Sequence, residues 1–152
     1  MNTRIRAGLA ILGLVFTLSA VAGSGFAIGQ KLNKAEIAEL GDMPEYKIGK
    51  LRVKVLPSPY TDADITYLLN SRGVVGTSRN QVLIADASAE TQSSVEQVQP
   101  RPTSVQYHEQ TRILVATYSD FGQAVDALEA IKSAQPDAKV ALPMVFKQQK
   151  PQ

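Results

Sequence analysis

The residues of this 152-residue chain that are able to do chemistry are few and scattered. Asp62 and Asp64, beside Tyr60, form the nearest thing to a carboxylate pair, the arrangement used for acid–base work or calcium ligation. No further acidic ligand follows them at regular spacing, and acids at the start of a helix are favoured by the helix dipole alone. His108 is the single histidine and stands beside Glu109 in a polar stretch, with no partner cluster to make it a proton relay. Ser93-Ser94 and Ser119-Asp120 lack the Gly-x-Ser-x-Gly elbow of a hydrolase. Gly73-Val74-Val75-Gly76 lacks the Lys-Ser/Thr that completes a phosphate loop. With no cysteine there is no disulfide framework, thiolate metal site or cysteine nucleophile. One histidine argues against a histidine-cluster metal site or a Ser-His-Asp triad. The expectation is a protein that is not an enzyme, with no catalytic residue, metal or cofactor.

Tyr107, Arg112 and Tyr118 suggest a different chemistry. Aromatic faces stack on the apolar faces of sugars, and a guanidinium donates to ring substituents. These three are the candidate glycan or partner contacts, although a tyrosine at a strand end equally suits a core or rim position.

Charge placement bears on where such contacts would be made. The formal charge is +2, with sixteen Lys+Arg against fourteen Asp+Glu. Two of the sixteen, Arg4 and Arg6, lie in the first six residues, and the fourteen that remain balance the acids. A neutral body does not fit a nucleic-acid binder, which needs a basic face to displace counterions. Residues 7–29 carry no charge, and as a helix they would rise roughly 34 Å, enough to span a bilayer. Arg4 and Arg6 precede the run, so residues 1–6 form a cytoplasmic end and the bulk of the chain is exported. The run reads either as a retained inner-membrane anchor or as a cleaved signal segment, with Ala20-Val21-Ala22 as a small-x-small site. As an anchor, its small residues Ser19, Ala22, Gly23 and Gly25 suit close packing against other membrane helices.

The exported part must supply the elements. Residues 30–50 read as a stalk helix continuing out of the membrane, stopped by Gly41-Asp42-Met43-Pro44, then a connector. Residues 51–146 read as an α+β domain. Leu51 to Leu56 alternate as a strand. Thr61-x-x-Asp64 reads as a capping box opening a helix with Ile65, Leu68 and Leu69 on one face, closed by Arg72 and Gly73. Gln81 to Ala85 is a second strand. Residues 87–110, rich in Ser, Gln, Glu, Thr and Pro, read as a linker. Arg112 to Tyr118 is a strand, and Phe121, Ala124, Val125, Leu128 and Ile131 form a helical stripe. Ala138 to Phe146 is a last strand, and Pro143 places it at an edge. Residues 147–152 are a polar tail. Strand–helix–strand occurs twice, which predicts a four-stranded antiparallel sheet with two helices, the split βαβ or ferredoxin-like arrangement; the alternative is one independent unit, the second, with a looser first half.

Residues 112–142, RILVATYSDFGQAVDALEAIKSAQPDAKVAL, resemble half of a SPOR (sporulation-related repeat) domain. Thr117-Tyr118-Ser119 stands at that family's turn, and Ala124, Ala127 and Leu128 stand on its helix face. Ala116 occupies the place of its usual glycine. The resemblance implies a domain tethered outside the inner membrane that binds peptidoglycan glycan strands. Two readings of function follow. One is a non-enzymatic envelope protein that binds a partner or peptidoglycan in the periplasm. The other is an accessory subunit of a larger membrane complex, held by its helix.

Overall fold

The computed structural model describes residues 25–57 and 64–147. In chain order the elements are α1 (Lys34–Glu39), β1 (Glu45–Ile48), β2 (Leu51–Val55), β3 (Thr66–Asn70), β4 (Val75–Ser78), β5 (Gln81–Ala85), α2 (Ala89–Gln97), β6 (Ser104–His108), β7 (Ile113–Thr117), α3 (Phe121–Ala134) and β8 (Lys139–Ala141). They form an α+β protein with two antiparallel four-stranded sheets. The first is a meander, β1-β2-β3-β4; the second has the order β6-β7-β5-β8.

Several expected elements stand where the periodicity put them. Leu51–Val55 and Gln81–Ala85 are strands. The helical stripe becomes α3, whose Asp120 cap accepts the Gln123 N–H at 2.8 Å. The stripe Phe121, Ala124, Val125, Leu128 and Ile131 is buried. The last strand lies at a sheet edge as expected, but β8 covers only Lys139–Ala141 of the expected 138–146 and ends before Pro143.

The first half differs. Ile65, Leu68 and Leu69 belong to no helix; Thr66–Asn70 is a strand. That strand is buried on both faces: Leu68 packs into one core, and Tyr67 and Leu69 into another. A strand covered on both sides loses its period-two alternation and mimics a helical stripe. Arg72 and Gly73 are a hairpin turn and not a helix cap. The Asn70 side chain accepts from the backbone N–H of Arg72 and of Val74, both at 3.0 Å, and Gly73 adopts φ +76°. Thr61, Asp62 and Tyr60 lie outside the described residues.

Residues 87–110 are not a linker. Ser88 opens α2 through a reciprocal cap with Thr91, and Ser104–His108 pairs with β7. Only Val95 of α2 is buried, so a polar composition sufficed for that helix and concealed it. The two strand–helix–strand units therefore do not merge into one sheet. β2 and β5 lie in different sheets, and all four strands of the second sheet come from residues 81–141.

There is no stalk helix either. After a turn at Ile28-Gly29, residues 30–32 run along the outer edge of β4, where Gly29 N donates to Val75 O and Val75 N to Gln30 O, both at 2.8 Å. The six-residue α1 follows, capped by Asn33 and Glu36. Gly25, the first described residue of that region, is a bend. Ser19, Ala22, Gly23, Arg4 and Arg6 lie outside the described residues. Further along β4, Val145 and Thr77 exchange backbone hydrogen bonds at 2.9 Å in both directions. Segments from both ends of the described chain thus cover an edge that would otherwise be open to pairing.

One core joins the two sheets. Val53 and Leu68 of the first sheet pack with Val82, Ile84, Leu114 and the buried face of α3. Tyr46 of β1 meets Phe121 of α3 edge-on, with ring centroids 5.5 Å apart. Behind the first sheet, Leu56, Tyr67, Leu69 and Val75 pack with Leu32, Ile37 and Leu40. A buried polar joint links the sheets where the Thr66 hydroxyl donates to Asn80 Oδ1 at 2.9 Å.

Leu68→Ala is expected to cost about 2–5 kcal/mol. Because the core is shared, hydrogen exchange should speed up in β7 as well as in β3; acceleration confined to β3 would show two independent units. At Gly76 an added Cβ would meet the Phe146 ring and stand 2.7 Å from Val145 O. Gly76→Ala should lower the urea midpoint by the equivalent of about 1–3 kcal/mol.

Candidate functional site

The three candidate contacts are held by β6 and β7, and they do not converge. Tyr107 belongs to the inward-facing row of β6: its ring packs against the core and its hydroxyl donates to Ala87 O at 3.1 Å. Arg112 precedes β7 with φ +54°, and its guanidinium donates to Asp86 O at 3.4 Å. Both side chains therefore fasten the chain at residues 86–87. Arg112 stays exposed, while Tyr107 is half-buried. Tyr118 follows the opposite end of β7, roughly 20 Å away at about 3.3 Å per residue. It is 3% exposed, which removes it from any surface contact. Its backbone N–H donates to Asn80 O, and its hydroxyl is buried with no hydrogen-bond partner among the described residues. Burial pushes its pKa up to about 12.

The other groups weighed from the sequence form no reactive cluster. His108 is exposed on the edge strand β6. Among the described residues no group of three acidic or histidine side chains is placed to hold a metal ion. Gly73 and Gly76 flank the β3–β4 turn and open no helix.

What the strand pairing does assemble is an uncovered sheet face. Inward residues of the second sheet, among them Val82, Ile84, Leu114 and Ala116, pack into the shared core. The alternate residues point away from it, and their register lines them up in three rows. Ser104, Thr117 and Gln81 form one row. Gln106, Val115, Leu83 and Ala141 form the second. His108 and Ile113 lie level with Ala85 and Lys139 in the third. None of these side chains belongs to either core. They are half-buried at the centre and exposed at the rim. The face is about 14 Å across, four strands at about 4.8 Å spacing.

Its chemistry is an aliphatic strip with neutral hydrogen-bonding groups on one side and His108 and Lys139 at the corners of the other. Leu83, Val115, Ile113 and Ala141 make the strip, and a shallow hollow of about 320 Å³ lies over Leu83, Ile113 and Ala141. Gln81, Gln106, Ser104 and Thr117 each offer donors and acceptors. Gln81 is held in place by donating to Thr117 Oγ1 at 3.3 Å. At one corner Lys139 pairs with Asp86 at 3.0 Å, and that hydrogen bond holds the Asp86 carboxyl below its ordinary range.

These residues are not apparent as a set in the sequence. Gln81-Val82-Leu83-Ile84-Ala85 is apolar on both faces, which hides the outward side. Ser104-Val105-Gln106-Tyr107-His108 does alternate, and that alternation is the one signal that points to them; the surrounding polar stretch masks it.

Comparison with protein-family models, with curated proteins and with solved structures gives no match.

The buried Tyr118 hydroxyl carries a pH signature. An unfolded tyrosine ionises near pH 10, whereas the folded one resists ionisation until about 12. A raised folded pKa means full stability below pH 10 and a loss as pH climbs through that window. Tyr118→Phe should match or slightly exceed the parent near neutral pH, within about 1 kcal/mol, because a partnerless hydroxyl is removed. Between pH 10 and 12 the parent should lose stability relative to the variant in urea titrations. Parallel pH curves would contradict this.

Proposed function

We propose that this is a non-enzymatic, membrane-anchored bacterial envelope protein whose α+β body binds peptidoglycan glycan strands on the open face of the second sheet. The observation that carries the reading is that face: an aliphatic strip with amide and hydroxyl groups along one side, the Lys139–Asp86 pair at the opposite corner, and no charge in its central row. A neutral polymer with apolar ring faces and a hydroxyl rim matches it by shape and hydrogen bonding. That also suits a chain whose charges balance beyond Arg6.

The strand order adds support. β5-α2-β6-β7-α3-β8 with sheet order β6-β7-β5-β8 is the split βαβ, ferredoxin-like arrangement. It contains residues 112–142, where the SPOR resemblance lies. The contact residues differ from those first expected: Leu83, Val115, Gln81 and Gln106 take the place of Tyr107 and Tyr118, with Arg112 at the margin.

Anchoring rests on the uncharged leader. With Gly25 to Gly29 part of the folded body, residues 7–24 remain, and as a helix they would rise roughly 27 Å, near the lower limit for a span. Among the described residues no helix is long and apolar enough to cross a membrane. The proposed topology has the amino end in the cytoplasm and the body in the periplasm; a cleaved leader would release the body there.

One feature favours the accessory-subunit reading. The face carries no Phe, Tyr or Trp among its described residues, and an aliphatic sheet face suits a protein partner. In that case the face docks on a neighbouring subunit of a membrane complex, and Ser19, Ala22 and Gly23 pack the leader among its helices.

Full-length protein in mild detergent should pellet with purified peptidoglycan, including glycan stripped of its peptides. Leu83→Glu should abolish pelleting while shifting the thermal midpoint by only a few degrees. Absence of pelleting by the parent, together with stable copurification of one membrane complex that Leu83→Glu disrupts, would establish the accessory-subunit reading in its place.

A further inference from the structure

Away from the open face, the edge of β4 carries a second surface. The segment at residues 28–31, the β3–β4 turn and the end of the described chain meet there around a cleft of about 540 Å³. Its apolar lining is Ile28, Val74 and Phe146, and its charged lining is Lys31, Arg72 and Lys147. No acidic residue lines it. The two ion pairs among the described residues, Arg52–Glu45 and Lys139–Asp86, lie elsewhere. Lys31, Arg72 and Lys147 are all exposed. A body with no net charge therefore gathers three cations, none in an ion pair among the described residues, at one place.

The place itself is informative. Ile28 and Gly29, which both line the cleft, lie at the end of the uncharged run, with only Gln30 between them and Lys31. Gly29 is fixed to β4 by its hydrogen bond to Val75 O at 2.8 Å. From Gly25 to Ile28 the chain reaches about 10 Å at most. A leader held in a bilayer therefore brings this cleft to the bilayer surface. Surface potential acts over a Debye length of about 8 Å at physiological salt.

We infer that the Lys31–Arg72–Lys147 cleft docks on the phosphate headgroups of anionic phospholipids and holds the body against the bilayer that its leader enters. This rests on the membrane-anchored reading above. The three cations face the headgroup phosphates. The apolar floor formed by Ile28, Val74 and Phe146 faces the glycerol and upper acyl region, where partly buried apolar side chains are stabilised. Each basic residue near an anionic surface strengthens docking by about fivefold. Restricting the tether in this way fixes which parts of the body face outward.

The test uses the full chain reconstituted in nanodiscs, one set containing phosphatidylglycerol and the other phosphatidylcholine alone. Amine acetylation is read residue by residue by mass spectrometry. Lys31 and Lys147 should be protected about fivefold or more in the anionic discs, with Lys50 and Lys132 labelled alike in both. Protection should fall at high salt. Arg72→Glu should reduce the protection of both lysines with the thermal midpoint unchanged. Equal labelling of Lys31 and Lys147 in the two bilayers, in a chain that resists carbonate extraction, overturns the inference and leaves anchoring intact. Extraction by carbonate overturns anchoring itself, and this inference with it. Equal protection by inorganic phosphate in phosphatidylcholine discs overturns the lipid assignment in favour of a general anion site.

Discussion

Strand β3 sets the condition that the rest of the molecule satisfies. Tyr67, Leu68 and Leu69 are consecutive, and all three are buried. Consecutive residues of a strand point to opposite faces, so the first sheet needs cover on both sides. One side is met by the second sheet and α3, through Leu68 and Val53. The other is met by Leu32, Ile37 and Leu40 from the segment around α1. Removing either cover would leave an apolar sheet face in water, at a cost of about 25 cal/mol for each Å² exposed. This ties the segment around α1 to the same packing that fixes the sheet pair.

That condition also explains where function can reside. The first sheet is covered on both faces at β3 and β4, and the outer face of β1 and β2 presents the charged Glu45, Lys47 and Arg52. The second sheet spends its inner face on α3, Val53 and Leu68, which leaves its outer rows uncovered. An uncovered face with aliphatic residues at its centre and amides at its rim is the part of the molecule that its own folding does not use. The β4 edge is treated differently. Residues 29–31 and Val145 cover it, and by doing so they bring Lys31 and Lys147 beside Arg72.

How much of this is legible follows from how each pattern is made. The α3 stripe is readable because one side of that helix is buried and the other is wet. β2 is readable because Arg52 and Lys54 alternate with apolar neighbours. β3 reads as a helix because burial on both faces erases alternation, and its residues 65, 68 and 69 fall by chance at helical spacing. α2 and β6 escape notice because they contribute little apolar surface; α2 is held by the Ser88–Thr91 cap and Val95, and β6 by backbone pairing with β7. Tyr118 suits a surface contact and a core position equally well in the sequence, because a single tyrosine at a strand end carries no sign of which way it points.

The amino-acid sequence by itself determined the charge balance, the uncharged run near the amino end, the α+β class, and those elements whose two sides differ in polarity. These are properties of composition and of local periodicity, and they need no partner from elsewhere in the chain. Only the tertiary structure decided that there are two sheets and not one, that residues 81–141 close a four-stranded sheet by themselves, and which face of it stays open. Those outcomes depend on strand register and on contacts between residues far apart in sequence, such as Leu68 with the core around α3 or Val145 with Thr77. No local pattern encodes such pairings, because a strand's apolar residues can be satisfied by any cover of the right shape, and the chain's other elements decide which one it meets.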